Sequence, residues 1–171
     1  MALLPVFIIF MLILAVGEST VTNASTDAVV AAPVSRIEVV LAYQYRTRET
    51  EIKKDFVQAG LTNVHVQYAR MGQPPQNIGM GRDVPADKAR EAIRLAMKYN
   101  LGVGILLPER LFPPRFITIA SSNYDDTVEY HITQDTLSKL QDPTLSTEAF
   151  HRLYKDVTSA VIDPKAPKVR Y

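Results

Sequence analysis

Two hydrophobic repeats alternate along this chain, and their order restricts the fold more than any other feature. Short segments that are apolar at every second residue, or apolar throughout, are typical of strands, whereas apolar residues spaced three to four apart are typical of packed helices. Six such segments follow one another as strand, helix, strand, strand, helix, strand: 36–45, 47–59, 63–70, 77–81, 85–100 and 102–107. This order predicts an α+β domain with the split βαβ, or ferredoxin-like, arrangement of its sheet.

Further elements follow this core. Apolar residues at 116–120 and 127–132 predict additional strands, and the helical repeat at 134–141 and 146–160 predicts a C-terminal helix pair. Two crossover helices on one face of a sheet leave the other face bare, and a bare apolar face needs a cover. We therefore expect the C-terminal helix pair to cover the face opposite the crossover helices.

Local signals mark the ends and faces of the two crossover helices. Gly60 is typical of a left-handed stop, with Leu61 as the hydrophobic contact of the cap. Pro85 suits the first turn of the second helix, where its missing N–H costs nothing. On that helix Glu91 and Arg94 are spaced to pair at the surface. Its inward face is predicted to consist of Ala89, Ala92, Ile93 and Ala96.

The first sixteen residues contain no charged side chain, which predicts a targeting or anchoring role separate from the folded domain. This apolar run is shorter than the ~20 residues of a membrane span, and small residues near its end suit a cleavage site. Because no lysine or arginine precedes the run, an uncleaved anchor and a misassigned start stay open. We expect 1–17 to be a signal peptide or short membrane anchor, 18–34 a flexible linker, 35–163 a single domain and 164–171 a mobile tail.

Composition excludes several classes of function. Lysine plus arginine number 19 and aspartate plus glutamate 18, so the basic footprint of a nucleic-acid binder is missing. The absence of cysteine excludes disulfides, thiolate zinc sites, iron–sulfur clusters and a catalytic cysteine. His65, His131 and His151 have no partner at ligand spacing in the sequence, which is typical of isolated histidines. We therefore expect neither a metal nor another cofactor.

A glycine-containing junction is the first candidate binding site. Gly81 and Arg82 follow a predicted strand and precede a helix, where backbone N–H groups and a guanidinium can hold an anion. The alternative is a structural turn, since the third glycine of a dinucleotide loop and the lysine of a P-loop are both missing. The acidic loop at 123–126 lacks the spacing of a calcium loop and is read as an Asx turn.

A group of tyrosines and arginines is the second candidate. If the strands at 36–45 and 63–70 are neighbours, their carboxyl ends bring these side chains together, which suits recognition of a peptide, a glycan or an acidic ligand. The alternative is that the tyrosines are half-packed and the arginines solvated. The predicted ligand-binding residues are Tyr43, Tyr45, Arg46, Arg48, Tyr68 and Arg70, together with Gly81 and Arg82.

One stretch of the chain resembles a known group of domains. It contains the segment Asn77-Ile-Gly-Met-Gly-Arg-Asp-Val-Pro85, an alanine-rich helix, and then Leu101-Gly-Val-Gly-Ile105. Over about residues 36–122 the chain resembles small bacterial envelope accessory domains of the SPOR and LytR C-terminal type. This resemblance implies a ferredoxin-like fold and an envelope context, but it transfers no ligand-binding residue to this chain.

These features predict an exported, periplasmic or extracellular, or membrane-tethered binding module of the cell envelope. We expect it to be non-catalytic and to recognise a glycan, a peptide or a partner protein, with no nucleic acid and with membrane contact only through its N-terminal segment. Two alternatives stay open. One is a small envelope hydrolase that uses the tyrosine, arginine and aspartate side chains, and the other is a structural accessory subunit tethered to a membrane complex.

Overall fold

The structure, a computed structural model, describes residues 33–121 and 132–159, which form one sheet with helices packed against it. Within these ranges there are five strands: β1 (Arg36–Leu41), β2 (Val64–Tyr68), β3 (Asn77–Met80), β4 (Ile105–Leu107) and β5 (Phe116–Ile119). The same residues form four α-helices: α1 (Glu49–Gln58), α2 (Ala86–Tyr99), α3 (Gln134–Leu140) and α4 (Thr147–Ser159). A first 3₁₀ helix, Tyr43–Arg48, precedes α1, and a second, Glu109–Leu111, follows β4.

Strand order defines the sheet as two oppositely directed β-α-β units. The order is β2-β1-β5-β3-β4. β1 pairs in parallel with β2 and β5, β3 pairs in parallel with β4, and β3 runs antiparallel to β5. The predicted α+β class and element order are therefore confirmed. The strands within each unit are direct neighbours, whereas a split arrangement would separate them; here β5 takes the position between the two units.

Helices α1, α2 and α4 share one layer. Right-handed crossovers in two oppositely directed units place α1 and α2 on the same face of the sheet. Helix α4 lies beside α2, since Thr147 Oγ1 accepts from the N–H of Ala86 at 3.3 Å and Arg90 donates to the carbonyl oxygen of Asp142 at 3.2 Å. The prediction that α4 belongs to the core is confirmed, because Phe150 and Tyr154 are fully buried. The expected cover of the opposite face is wrong: α4 extends the existing helix layer instead.

Segment 108–115 covers part of the other face at the β3 end. The ring of Phe112 lies against Gly79 and stacks on Phe116 with 6.0 Å between ring centroids. The carbonyl group of Pro113 lies against Gly81, so a Cβ atom at either glycine would collide with this segment. Both glycines are therefore explained by the close approach of another part of the chain.

The first strand is shorter than its alternating pattern predicted. It ends at Leu41, and the first 3₁₀ helix begins two residues later, so the prediction of a strand through residue 45 is wrong. The chain must reverse here to enter α1, and 3₁₀ turns are common where α-helices begin. Tyr45 turns back with it and packs edge-on against Tyr99 of α2, with ring centroids 5.9 Å apart.

The predicted helix ends and faces are confirmed. Gly60 has a φ of +73°, and Leu61 is fully buried beside it. Pro85 immediately precedes α2, and Glu91 bonds Arg94 at 2.6 Å. The inward face of α2 is completely buried, as shown by Ala89, Ala92, Ile93 and Ala96. The predicted leader, the acidic loop at 123–126, most of the strand at 127–132, His131 and the tail lie outside the described residues.

Candidate functional site

The carboxyl ends of β1 and β2 meet at one edge of the sheet, because the two strands are parallel neighbours. Leu41 at the end of β1 is in register with Tyr68 at the end of β2. In open sheets of this kind, ligands bind beyond the carboxyl ends of the strands. The first 3₁₀ helix lies over this edge. We call the 3₁₀ helix and the adjoining end of β2 the Tyr43 surface.

Two of the predicted tyrosines anchor this surface. Tyr68 donates a hydrogen bond to Glu49 at 3.1 Å, and Tyr45 packs on Tyr99. Burial, followed by the bond to the Glu49 carboxylate, raises the pKa of Tyr68 to about 12. Lys53 holds the same carboxylate at 2.6 Å and, together with Tyr68, lowers the pKa of Glu49. These contacts fix the position of the first 3₁₀ helix against α1 and α2.

The other predicted side chains have different surroundings. Tyr43 is 57% exposed, and Arg46 donates to its hydroxyl at 3.1 Å with the guanidinium carbon 5.7 Å from the ring centroid. Arg48 forms a two-pronged bond to Glu51, at 2.7 and 3.0 Å, which raises the pKa of Arg48. Within the described part of the chain, Arg70 forms neither a hydrogen bond nor an ion pair. Tyr43 and Arg46 are thus the members of the group that face solvent together.

An ionic cluster between α1 and α2 supports this surface from behind. Asp55 Oδ2 accepts from Lys98 Nζ and from the hydroxyl of Tyr99, both at 2.5 Å. The bond from Lys98, and then that from Tyr99, lowers the pKa of Asp55. Sequence reasoning missed this cluster, since Asp55 and Lys98 are 43 positions apart in the chain. Its effect is to fix the Tyr99 ring on which Tyr45 packs.

Gly81 and Arg82 lie at the opposite edge of the sheet, because β3 runs against β5 and β1. The N–H of Gly81 donates to the carbonyl oxygen of Phe116 at 2.9 Å and is not free for a ligand. The structural alternative for Gly81 is therefore supported. The side chain of Arg82 is 75% exposed, and its nearest carboxylate, that of Asp83, is 3.8 Å away. Arg82 remains a candidate contact, but it cannot act together with the Tyr43 surface.

A histidine–glutamate pair at this second edge was also missed by sequence reasoning. His151 Nδ1 bonds Glu109 Oε1, and His151 Nε2 lies 2.6 Å from the carbonyl oxygen of Val84. A carbonyl oxygen only accepts, so Nε2 carries a proton and cannot accept one from a nucleophile. The pair joins α4, the second 3₁₀ helix and the loop after β3, which indicates a structural role. We call these contacts of His151 with Glu109 and Val84 the clasp. Glu109 and His151 are 42 positions apart in the chain, so no local sequence motif predicts the pair.

No protein-family model, curated protein or solved structure matches the chain. Among the described residues, no group of three histidine, cysteine or carboxylate side chains is placed to hold a metal ion. The helices in the same residues include none long and apolar enough to span a membrane.

Proposed function

We propose that this chain is a non-catalytic binding module of the cell envelope, exported or membrane-tethered, and that the Tyr43 surface recognises a glycan, a peptide or a partner protein. The observation that carries this proposal is the 57% exposure of Tyr43 on an anchored turn. Tyrosine and arginine supply much of the affinity at protein binding surfaces. The flat tyrosine ring gives a large contact at small entropic cost, and the planar guanidinium donates hydrogen bonds in a fixed geometry. The arrangement of Tyr43 with Arg46 fits this description.

Anchoring of the turn supports recognition rather than ordinary solvation. Within the Tyr43 surface, Tyr45 packs on Tyr99 and Tyr68 bonds Glu49. When a surface is already ordered before binding, no binding free energy is spent on ordering it. The exposed pair would therefore need only small side-chain adjustments on binding.

A hydrolase receives less support from the geometry. The described residues contain one close histidine–carboxylate pair, His151 with Glu109, and both ring nitrogens of His151 are already engaged. General base catalysis requires a free nitrogen within reach of the proton to be removed. The histidine side chain is also only 12% exposed.

Binding can be tested with the full chain immobilised and offered three probes: purified envelope glycan strands, envelope peptides and extracted envelope proteins from the native host. We expect saturable binding to one class, and Tyr43→Ala or Arg46→Ala should weaken it roughly tenfold without changing the melting temperature. Val57→Ala is the matched control, since Val57 is 54% exposed on α1 but lies outside the Tyr43 surface. Equal losses in the control, or binding to none of the probes, would contradict the proposal.

Export has its own test. The short uncharged leader predicts that residues 1–17 are removed from the mature protein. Intact mass of material from the native host should place the terminus after Gly17. A terminus at Met1 or Ala2 would support the uncleaved anchor instead.

A further inference from the structure

We propose a second binding site, for a small carboxylate with an apolar body, in a cleft at the carboxyl ends of β3 and β4. The cleft has a volume of about 450 Å³ and is lined by Arg82, Glu109, Arg110, Phe112, Lys155 and Thr158, among others. We call it the β4 cleft. Its volume falls in the range of small-molecule sites. It lies at the sheet edge opposite the Tyr43 surface and does not depend on the function proposed there.

Positive charge dominates the lining of the β4 cleft. Arg82, Arg110 and Lys155 line it, and within the described residues Arg110 and Lys155 form no ion pair. Arg82 has only the distant contact to Asp83, at 3.8 Å. Glu109 supplies the one carboxylate in the lining, and its Oε1 is engaged by His151. Three cations without close partners around a concave surface attract an anion.

An apolar wall completes the recognition of a carboxylate that carries a ring or an alkyl group. Phe112, Pro108 and Pro114 line the cleft beside the cations. Phe112 is held in place by Gly79 on one side and by stacking on Phe116. An aromatic wall contributes affinity to an apolar ligand body but not to a bare inorganic anion.

Side-chain hydrogen bonds connect the segments that form the walls of the β4 cleft. The clasp of His151 with Glu109 and Val84 joins the three segments that surround the cleft. The hydroxyl of Thr158 donates to the carbonyl oxygen of Tyr154 at 2.9 Å, so its proton is not available to a ligand. An anion in this cleft is therefore held by the guanidinium and ammonium groups, and the preformed walls keep the ordering cost small.

Calorimetric titration of the full chain with benzoate at low ionic strength tests the site. We expect saturable one-to-one binding with a dissociation constant of about 1 mM. Benzamide, which has the same ring without the charge, should bind roughly tenfold more weakly, and so should inorganic phosphate, which lacks the ring. Absence of saturable benzoate binding, or equal affinity for benzamide, would overturn the site. Equal affinity for phosphate would overturn the role of the apolar wall.

Variants separate the cleft from the net charge of the protein. Arg82→Gln, Arg110→Gln and Lys155→Met should each weaken benzoate binding about fivefold while leaving the melting temperature unchanged, because none breaks a close ion pair. Lys139→Met is the matched control: it also removes one positive charge, but from α3, where Lys139 pairs with Asp135 at 2.7 Å. The control and Tyr43→Ala should leave benzoate binding intact. A loss in Lys139→Met as large as in Lys155→Met would overturn the assignment.

Discussion

The two β-α-β units present their carboxyl ends at opposite edges of the sheet, and different contacts hold the two edges together. At the β1–β2 edge, half-exposed side chains bond one another, as Tyr68 does with Glu49. At the β3–β4 edge, buried or largely buried side chains bond the backbone. Tyr154 donates to the carbonyl oxygen of Leu107 at 2.7 Å, and His151 reaches that of Val84 at 2.6 Å.

This difference explains how two units with the same β-α-β order form two unlike surfaces. Water can replace a partner in a half-exposed bond, whereas a buried backbone carbonyl that loses its partner retains the full cost of desolvation. The β3–β4 edge also receives α4 and segment 108–115, which the β1–β2 edge lacks. We therefore expect the first edge to tolerate substitutions and the second to lose stability when its buried contacts are changed.

The largest loss of stability is expected from substitution of Phe150, which is fully buried on α4. Phe150→Ala removes a buried ring and leaves a cavity, so the free energy of unfolding should fall by roughly 3–5 kcal/mol. Denaturant unfolding of the full chain measures this change. Leu153→Ala, at a partly buried position of the same helix, is the control and should cost clearly less. Equal costs would mean that α4 is not anchored through Phe150.

A smaller decrease in the free energy of unfolding is expected when Gly81 is changed to alanine. The added Cβ would collide with the carbonyl group of Pro113, and a backbone neighbour cannot rotate away. Overpacking of this kind destabilises by about 1–3 kcal/mol. Gly104→Ala is the control, because its Cβ would meet only ordinary contacts with Gln76. A stable Gly81→Ala chain would show that segment 108–115 moves freely and would weaken the contrast between the edges.

The same substitution at each edge compares them directly. Tyr154→Phe removes a buried hydroxyl that donates to backbone, and we expect a loss of about 1–2 kcal/mol in the free energy of unfolding. Tyr68→Phe removes a half-buried hydroxyl that donates to the half-exposed Glu49, and we expect less than about 1 kcal/mol. Both are measured by chemical denaturation under identical conditions. The reverse order of the two losses would refute the proposed difference.

A pH dependence contributed by Tyr68 is expected only in alkaline solution. Its pKa in the folded chain is about 12, above the ordinary value of 10.0, so folding favours the neutral phenol. The resulting stabilisation is fully present below pH 10 and is lost as the pH rises from 10 to about 12. Phenolate absorbance measured together with unfolding should show this loss. Tyr68→Phe should reduce it and leave the part contributed by Tyr154, whose pKa is also raised by burial. An unchanged profile in Tyr68→Phe would assign the loss to another group.

Sequence patterns predicted the elements well because local spacing reports local structure. The apolar period of α2 identified its buried face, and Gly60 marked the end of α1. The same reasoning extended β1 too far, since Tyr43 and Tyr45 continue the alternation although the chain has already turned. It also placed α4 on the wrong face, because an amphipathic helix records that one side is buried but not against which layer.

The sequence by itself determined the α+β class, the element order and the residues that form the helix faces, because these depend on periodicity within short segments. Only the tertiary structure decided which functional side chains meet. It separated Arg82 from Tyr43, and it brought Glu109 to His151 and Asp55 to Lys98. Strand direction separated Arg82 from Tyr43: β3 runs antiparallel to β5, so the two units direct their carboxyl ends to opposite edges. The spacing of apolar residues along the chain does not specify how the strands are arranged, since either arrangement satisfies the same hydrophobic pattern.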